Sequence, residues 1–215
     1  MVTIKWFGHA CIAIVKTNGY TIVIDPHAGS DIGIEKPDIK ADLVLVTHEH
    51  FDHNAVEVVS KPETRVLREF WGEVRINDIV VRGYKTFHDK FEGKRRGFNT
   101  VYVVETEGYR IAHMGDLGSP PGEDVLNAIR GADLLAIPVG GTYTIEPDEA
   151  WDIVEKTEPV NVLPIHYWIK GVKLPIRRID DFLVYVKKYS VIRLDTNEFQ
   201  LRDYRNSVII PRLAK

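Results

Sequence analysis

The 215-residue sequence contains one cysteine, Cys11. A lone thiol excludes an intramolecular disulfide framework and agrees with a reducing compartment. Long apolar runs are also missing. The longest, such as Leu43 to Val46 and Leu134 to Val139, are strand-sized and far short of the roughly 20 residues that a membrane helix needs. The amino terminus from Met1 to Phe7 lacks the basic segment, apolar core and cleavage site of an export signal. These absences predict a cytoplasmic protein with no membrane span. Neither sign of charge dominates, since 28 Lys and Arg stand against 31 Asp and Glu for a formal net charge of −3. That balance argues against a strongly electrostatic partner such as nucleic acid or an anionic lipid surface. The one local basic cluster is Lys94-Arg95-Arg96.

What is present fits a globular chain, with 44% hydrophobic and 27% charged residues. No repeat, low-complexity stretch or linker divides it, so residues 1–215 read as a single domain. Ile4 to Phe7, Cys11 to Val15 and Thr21 to Ile24 are β-rich, and Asn18-Gly19 between the last two is a hairpin signal. Asp25-Pro26 stops the third run, and His27 to Lys40 reads as a loop. Leu43 to Val46 shows no polar alternation, as expected of a strand buried on both faces. Further strands are expected at Ile79 to Val81, Thr100 to Glu105 and Arg110 to Ala112, with Glu107-Gly108 turning between the last two. Helical patterns at Gly122 to Arg130, Pro147 to Lys156 and Ile176 to Lys187 alternate with apolar runs at Leu134 to Pro138 and Val160 to Pro164. A mixed α/β fold with helices covering sheets follows.

Directly after the buried run comes Thr47-His48-Glu49-His50-Phe51-Asp52-His53. Three imidazoles and the Asp52 carboxylate within six positions form a dense set of ligands for a borderline ion such as zinc. A loop at a strand end lets them converge as one strand face could not.

This segment resembles the His-x-His-x-Asp-His motif of the metallo-β-lactamase superfamily. The resemblance extends through Gly8-His9-Ala10, Asp25-Pro26, Gly115-Asp116, Pro138-Val139-Gly140-Gly141 and Pro164-Ile165-His166-Tyr167. In that order these segments are similar to the ascorbate-6-phosphate lactonase-like branch. The resemblance implies a four-layer αβ/βα sandwich with two divalent ions at one edge. Zinc is the expected ion, with manganese or iron as alternatives. It places His48, His50 and His88 on one ion, Asp52, His53 and His166 on the other, and Asp116 between them. Asp25 is implied as a carboxylate that orients a liganding histidine through its other ring nitrogen. His9 is expected to touch the substrate or to support the ligands, and with Asp52 and Asp116 it completes the expected catalytic set. His27 and His113 are not expected to be ligands, and Cys11 reads as a small core residue.

Two ions sharing a carboxylate can activate a water, so the implied reaction is hydrolysis of an ester, lactone or phosphodiester. The expected substrate is a small molecule, with Lys94-Arg95-Arg96 available to receive a phosphate. Two alternatives stay open at this point, a non-catalytic metal-binding or sensing protein and a nuclease of the same superfamily. The oligomeric state is open as well.

Overall fold

The computed structural model describes residues 1–213. Strands β1 (Thr3–Trp6), β2 (Ile12–Val15) and β3 (Thr21–Ile24) form the antiparallel meander that Asn18-Gly19 predicts, and β4 (Leu43–Val46) joins parallel to β3. A single helical turn, α1 (Val56–Val59), leads to β5 (Arg65–Arg68). Strands β6 (Gly72–Ile76), β7 (Ile79–Phe87), β8 (Phe98–Thr106) and β9 (Tyr109–His113) follow as an antiparallel run. Then come α2 (Glu123–Ile129), β10 (Leu134–Pro138), α3 (Pro147–Thr157), β11 (Asn161–Ile165), α4 (Ile179–Leu183), β12 (Ser190–Arg193), β13 (Glu198–Gln200) and β14 (Ser207–Ile210). The strands make two mixed sheets, ordered β13-β1-β2-β3-β4-β5 and β12-β14-β11-β10-β9-β8-β7-β6.

Side-chain alternation along the strands explains the layering. Ile12 and Ile14 of β2 and Leu43 and Leu45 of β4 enter the main core, which they share with Val81, Val103, Ile111 and Leu135 of the second sheet. Their neighbours Ala13, Val44 and Val46 point the other way, into a smaller cluster closed by Val56 and Val59 of α1. A strand with both faces covered has no polar position to spare, which is why β4 reads as an unbroken apolar run. The cover on the second sheet is helical. In α3 the buried residues Pro147, Ala150, Trp151, Val154 and Thr157 lie on one face, and a capping box between Glu146 and Glu149 starts the helix.

One expected helix is much shorter than its pattern suggested. Of residues 176–187 only Ile179–Leu183 is helical. Arg177 is committed to cross-loop hydrogen bonds instead, its N–H donating to the Gly140 carbonyl (2.7 Å) and its carbonyl accepting from Trp168 N–H (2.7 Å). Beyond the helix, Val184 is 74% exposed, so no buried face rewards continuing it. The strands β5, β6 and β12 to β14 also go beyond the sequence pattern. Charged ends on the edge strand β5, Arg65 and Arg68, blunt the apolar signal while guarding an open edge.

Strands β1, β3 and β4 run in one direction within the first sheet, as do β7, β9, β10 and β11 within the second. Their carboxyl ends carry His9, Asp25, the 48–53 loop, His88, Asp116 and His166. The ligand candidates therefore come from both sheets. No helix among the described residues is long and apolar enough to cross a membrane.

Candidate metal centre

Asp25 follows β3 and is fully buried. Its Oδ1 accepts the Thr47 N–H (2.8 Å), and its Oδ2 accepts the Thr47 hydroxyl (2.7 Å) and lies 3.0 Å from His53 Nδ1. The Thr47 hydroxyl proton goes to Asp25, so the oxygen is left to accept from His48 Nδ1, 3.0 Å away. Both histidines thus carry a proton on Nδ1 and turn Nε2 toward the cluster. Thr47 was not singled out in the sequence, although it begins the motif.

Asp116 is placed by a second buried network. Asn99, with no exposed surface, donates from Nδ2 to Thr86 Oγ1 and the Met114 carbonyl (2.9 Å each), and its Oδ1 accepts the Asp116 N–H (2.9 Å). Gly115 makes this turn possible. Its φ is +54°, and a Cβ there would stand 2.3 Å from Asn99 Oδ1 and 2.8 Å from Thr47 Cβ. Nothing in the spacing of residues marked Asn99. An amide just before the apolar run Val101 to Val104 was the available signal.

The structure brings together all seven residues implied as ligands. His48, His50 and His88 offer nitrogens that lie within 4.8 Å of one another, as do the ligand atoms of His48, His53 and Asp116, and those of His9, Asp52, His53 and His166. Asp116 Oδ1 lies 3.3 Å from His53 Nε2. Its Oδ2 lies 3.2 Å from His166 Nε2, 3.5 Å from His88 Nε2 and 3.9 Å from His48 Nε2. Six buried atoms of these seven side chains have no hydrogen-bond partner among the described residues, and four of them are His48 Nε2, His53 Nε2, His166 Nε2 and Asp116 Oδ1. Buried polar atoms are rarely left so, and these face one another in a set rich in nitrogen and carboxylate. The donor set fits divalent ions.

His9 is fully buried, its Nε2 3.0 Å from Asp52 Oδ2. Of its two expected roles, the bond to Asp52 is the contact that suits support of the ligands. His113 donates from Nε2 to the Ala10 carbonyl (2.8 Å) and accepts the Gly115 N–H on Nδ1 (3.1 Å), and His27 bonds the Phe7 carbonyl (3.0 Å). Neither belongs to the groups whose ligand atoms converge among the described residues. His9, Asp25 and His166 all adopt left-handed backbone, with φ of +51°, +52° and +52°. Each such residue costs roughly 1–3 kcal/mol, strain of the kind that collects at functional sites.

Charge in the cluster is divided. Burial lowers the pKa of His48 and brings that of His88 down to about 4, so both are neutral at pH 7, the form that ligates. His53 runs opposite. Although burial opposes its charge, the carboxylates of Asp116, Asp52 and Asp25 hold its pKa well above the usual imidazole range. Burial likewise opposes ionisation of Asp116, yet His166 and His53 keep it well below the usual carboxylate range.

The cluster opens onto a cleft of about 570 Å³ lined by His50, His88, Arg95, Arg96 and Tyr143 among others, continuous with a smaller recess at Phe51, Asp52 and Asp116. Asp89 shapes one wall, its carboxylate accepting the backbone N–H groups of Phe91, Gly93, Arg95 and Arg96. Arg96 lies over the Tyr143 ring, 4.4 Å from its centroid, and Arg95 over Phe91 at 3.7 Å. Lys94, the third member of the basic run, turns to solvent beside Glu92.

Residues 3–166 match the β-lactamase superfamily domain. The chain belongs to the metallo-β-lactamase superfamily. Within it, the chain is a member of the UPF0173 metal-dependent hydrolase family. It is 30% identical over 192 residues to the UPF0173 metal-dependent hydrolase of Thermococcus onnurineus, a match covering 78% of this chain and 85% of the relative. A crystal structure from Thermotoga maritima, named as a Zn-dependent hydrolase of the superfamily, is 33% identical, covers 98% of each chain and superposes with a TM-score of 0.79. The short form of human tRNase Z is 11% identical with a TM-score of 0.57, covering 77% of this chain and 92% of that one. That likeness is one of fold alone.

Proposed function

We propose that this member of the superfamily hydrolyses an ester, lactone or phosphodiester bond in a small anionic substrate, using two divalent ions, zinc by preference. The observation that carries the reading is the set of buried, partnerless ligand atoms beside an open cleft. His48, His50 and His88 would hold one ion, Asp52, His53 and His166 the other, with Asp116 shared. A structural zinc site is closed by four protein ligands, whereas a set opening to a cleft suits catalysis.

Two such ions, when bound, supply Lewis acidity and bring the pKa of a water toward about 7. The chain's own residues do the rest. Asp25 fixes the tautomers of His53 directly and of His48 through Thr47, so neither ring has to reorient during turnover. His9 bonds Asp52 and holds it against the ring of His53, whose Nε2 is 3.6 Å from Asp52 Oδ2. Arg96 lines both the cleft and the recess. It is near enough to His50 for its charge to help burial lower that histidine's pKa. A guanidinium placed there would receive a phosphate or carboxylate of the substrate, and the Tyr143 ring would limit its rotamers. Lys90 also faces the cleft, but it is paired with Glu149 at 2.8 Å.

The test combines elemental analysis of purified protein with turnover on bis-p-nitrophenyl phosphate and simple lactones, before and after chelation. Two ions per chain and chelator-sensitive turnover are expected. Arg96→Ala should raise KM for anionic substrates by about tenfold while moving kcat little, as loss of uniform binding does. A folded, metal-loaded protein inert toward every ester class would overturn the reading.

A further inference from the structure

Beside Tyr167, the residue after His166, lies a cavity of about 560 Å³ that shares no lining residue with the cleft. Its size falls in the ~300–1,000 Å³ range of small-molecule sites. Trp6 and Tyr167, stacked with ring centroids 5.5 Å apart and planes 15° from parallel, contribute to its lining, with Ile179 and Ile210. Three cations also line it, Lys170, Arg193 and Arg212, and among the described residues no carboxylate does. Of the three, Arg193 is paired with Asp180 (3.0 Å), whereas Lys170 and Arg212 have no salt bridge among the described residues. Arg193 is close enough to Tyr167 for its charge to act on the phenol, against the burial that raises that group's pKa.

We infer that this cavity is a second ligand site, for a medium-sized anion with an apolar body, such as an aromatic carboxylate. Apolar lining recovers hydrophobic free energy from the ligand's body, while the exposed cations at its rim, Lys170 and Arg212, select the sign of its head group. An apolar recess alone would take any hydrophobe. Lys170 and Arg212, unpaired among the described residues, give this one a preference. It is also built against the metal centre, since the Trp6 indole N–H donates to the His9 carbonyl (3.1 Å), the same oxygen that accepts the His166 N–H (3.0 Å).

The experiment titrates three probes of one shape into the full chain by calorimetry, namely 2-naphthoate, its neutral alcohol 2-naphthalenemethanol and the cation 2-naphthylmethylammonium. Naphthoate should bind saturably with one site per chain, the alcohol about tenfold more weakly, and the cation not measurably. Arg212→Glu and Lys170→Glu, both solvent-facing changes, should each weaken naphthoate by about tenfold or more. Arg96→Ala, in the cleft, should leave naphthoate binding unchanged. The inference is overturned by equal binding of the three probes, by no saturable binding of naphthoate, or by a loss in Arg96→Ala that the rim variants do not show. Circular dichroism of each variant, unchanged from wild type, secures the comparison.

Discussion

Asp25 and His53 are 28 positions apart in the chain, yet Asp25 Oδ2 stands 3.0 Å from His53 Nδ1 with neither side chain exposed. This pairing gives the first prediction. Asp25→Asn presents an amide in place of a carboxylate that accepts from three donors, and metal affinity should fall by about 10–100-fold. Competition against a chelating dye measures it. Wild-type affinity in a folded variant would remove Asp25 as the orienting group.

Asp116→Asn is nearly isosteric but carries no charge, and two divalent ions brought close without that anion repel each other in a poorly solvated site. One ion should be lost on dialysis while the other stays with His48, His50 and His88. Turnover should drop by about a hundredfold or more. Metal content and rate are read on the same preparation. Two retained ions with unchanged rate would show that Asp116 is not shared.

For Gly115→Ala the prediction concerns stability. The added Cβ would meet Asn99 and Thr47 in a backbone conformation that L side chains avoid. Strain and a disturbed buried network together should remove about 2–4 kcal/mol. Thermal unfolding would then fall by roughly 4–16 °C for a domain of this size. A shift below about 1 °C would mean that the turn relaxes freely.

Acid stability should depend on His27. Burial lowers its folded pKa from 6.5 to about 4, so the unfolded chain takes up a proton that the folded one resists. Its contribution is therefore full above pH 6.5 and is lost as the pH falls toward 4. The share is at most about 3.4 kcal/mol at 1.36 kcal/mol per unit. Urea midpoints across that window should decline less steeply in His27→Gln than in wild type. Parallel profiles would show that His27 does not drive the loss.

The ligand loop was legible in the sequence because His48, His50, Asp52 and His53 are close along the chain as well as in space. His88, Asp116 and His166 are isolated in sequence, and only their place at strand ends, read through the resemblance, singled them out. Asn99 and Tyr143 gave no comparable sign. The first acts through hydrogen bonds to a turn 15–17 residues away, and the second reaches the cleft from a loop whose path depends on the whole second sheet. The expected helix over 176–187 failed for a related reason. Its apolar spacing was real, but Arg177 had already given its backbone groups to neighbouring loops.

Because the ligand candidates descend from both sheets, ions seated among them would act as a rivet across the seam between the sheets. Ligand-linked stabilisation amounts to about 2.7 kcal/mol when free metal is a hundredfold above its dissociation constant. Starved of metal, such a protein would open more often along that seam and meet proteases sooner. Its abundance would then track the metal supply, with inactive copies cleared instead of stored.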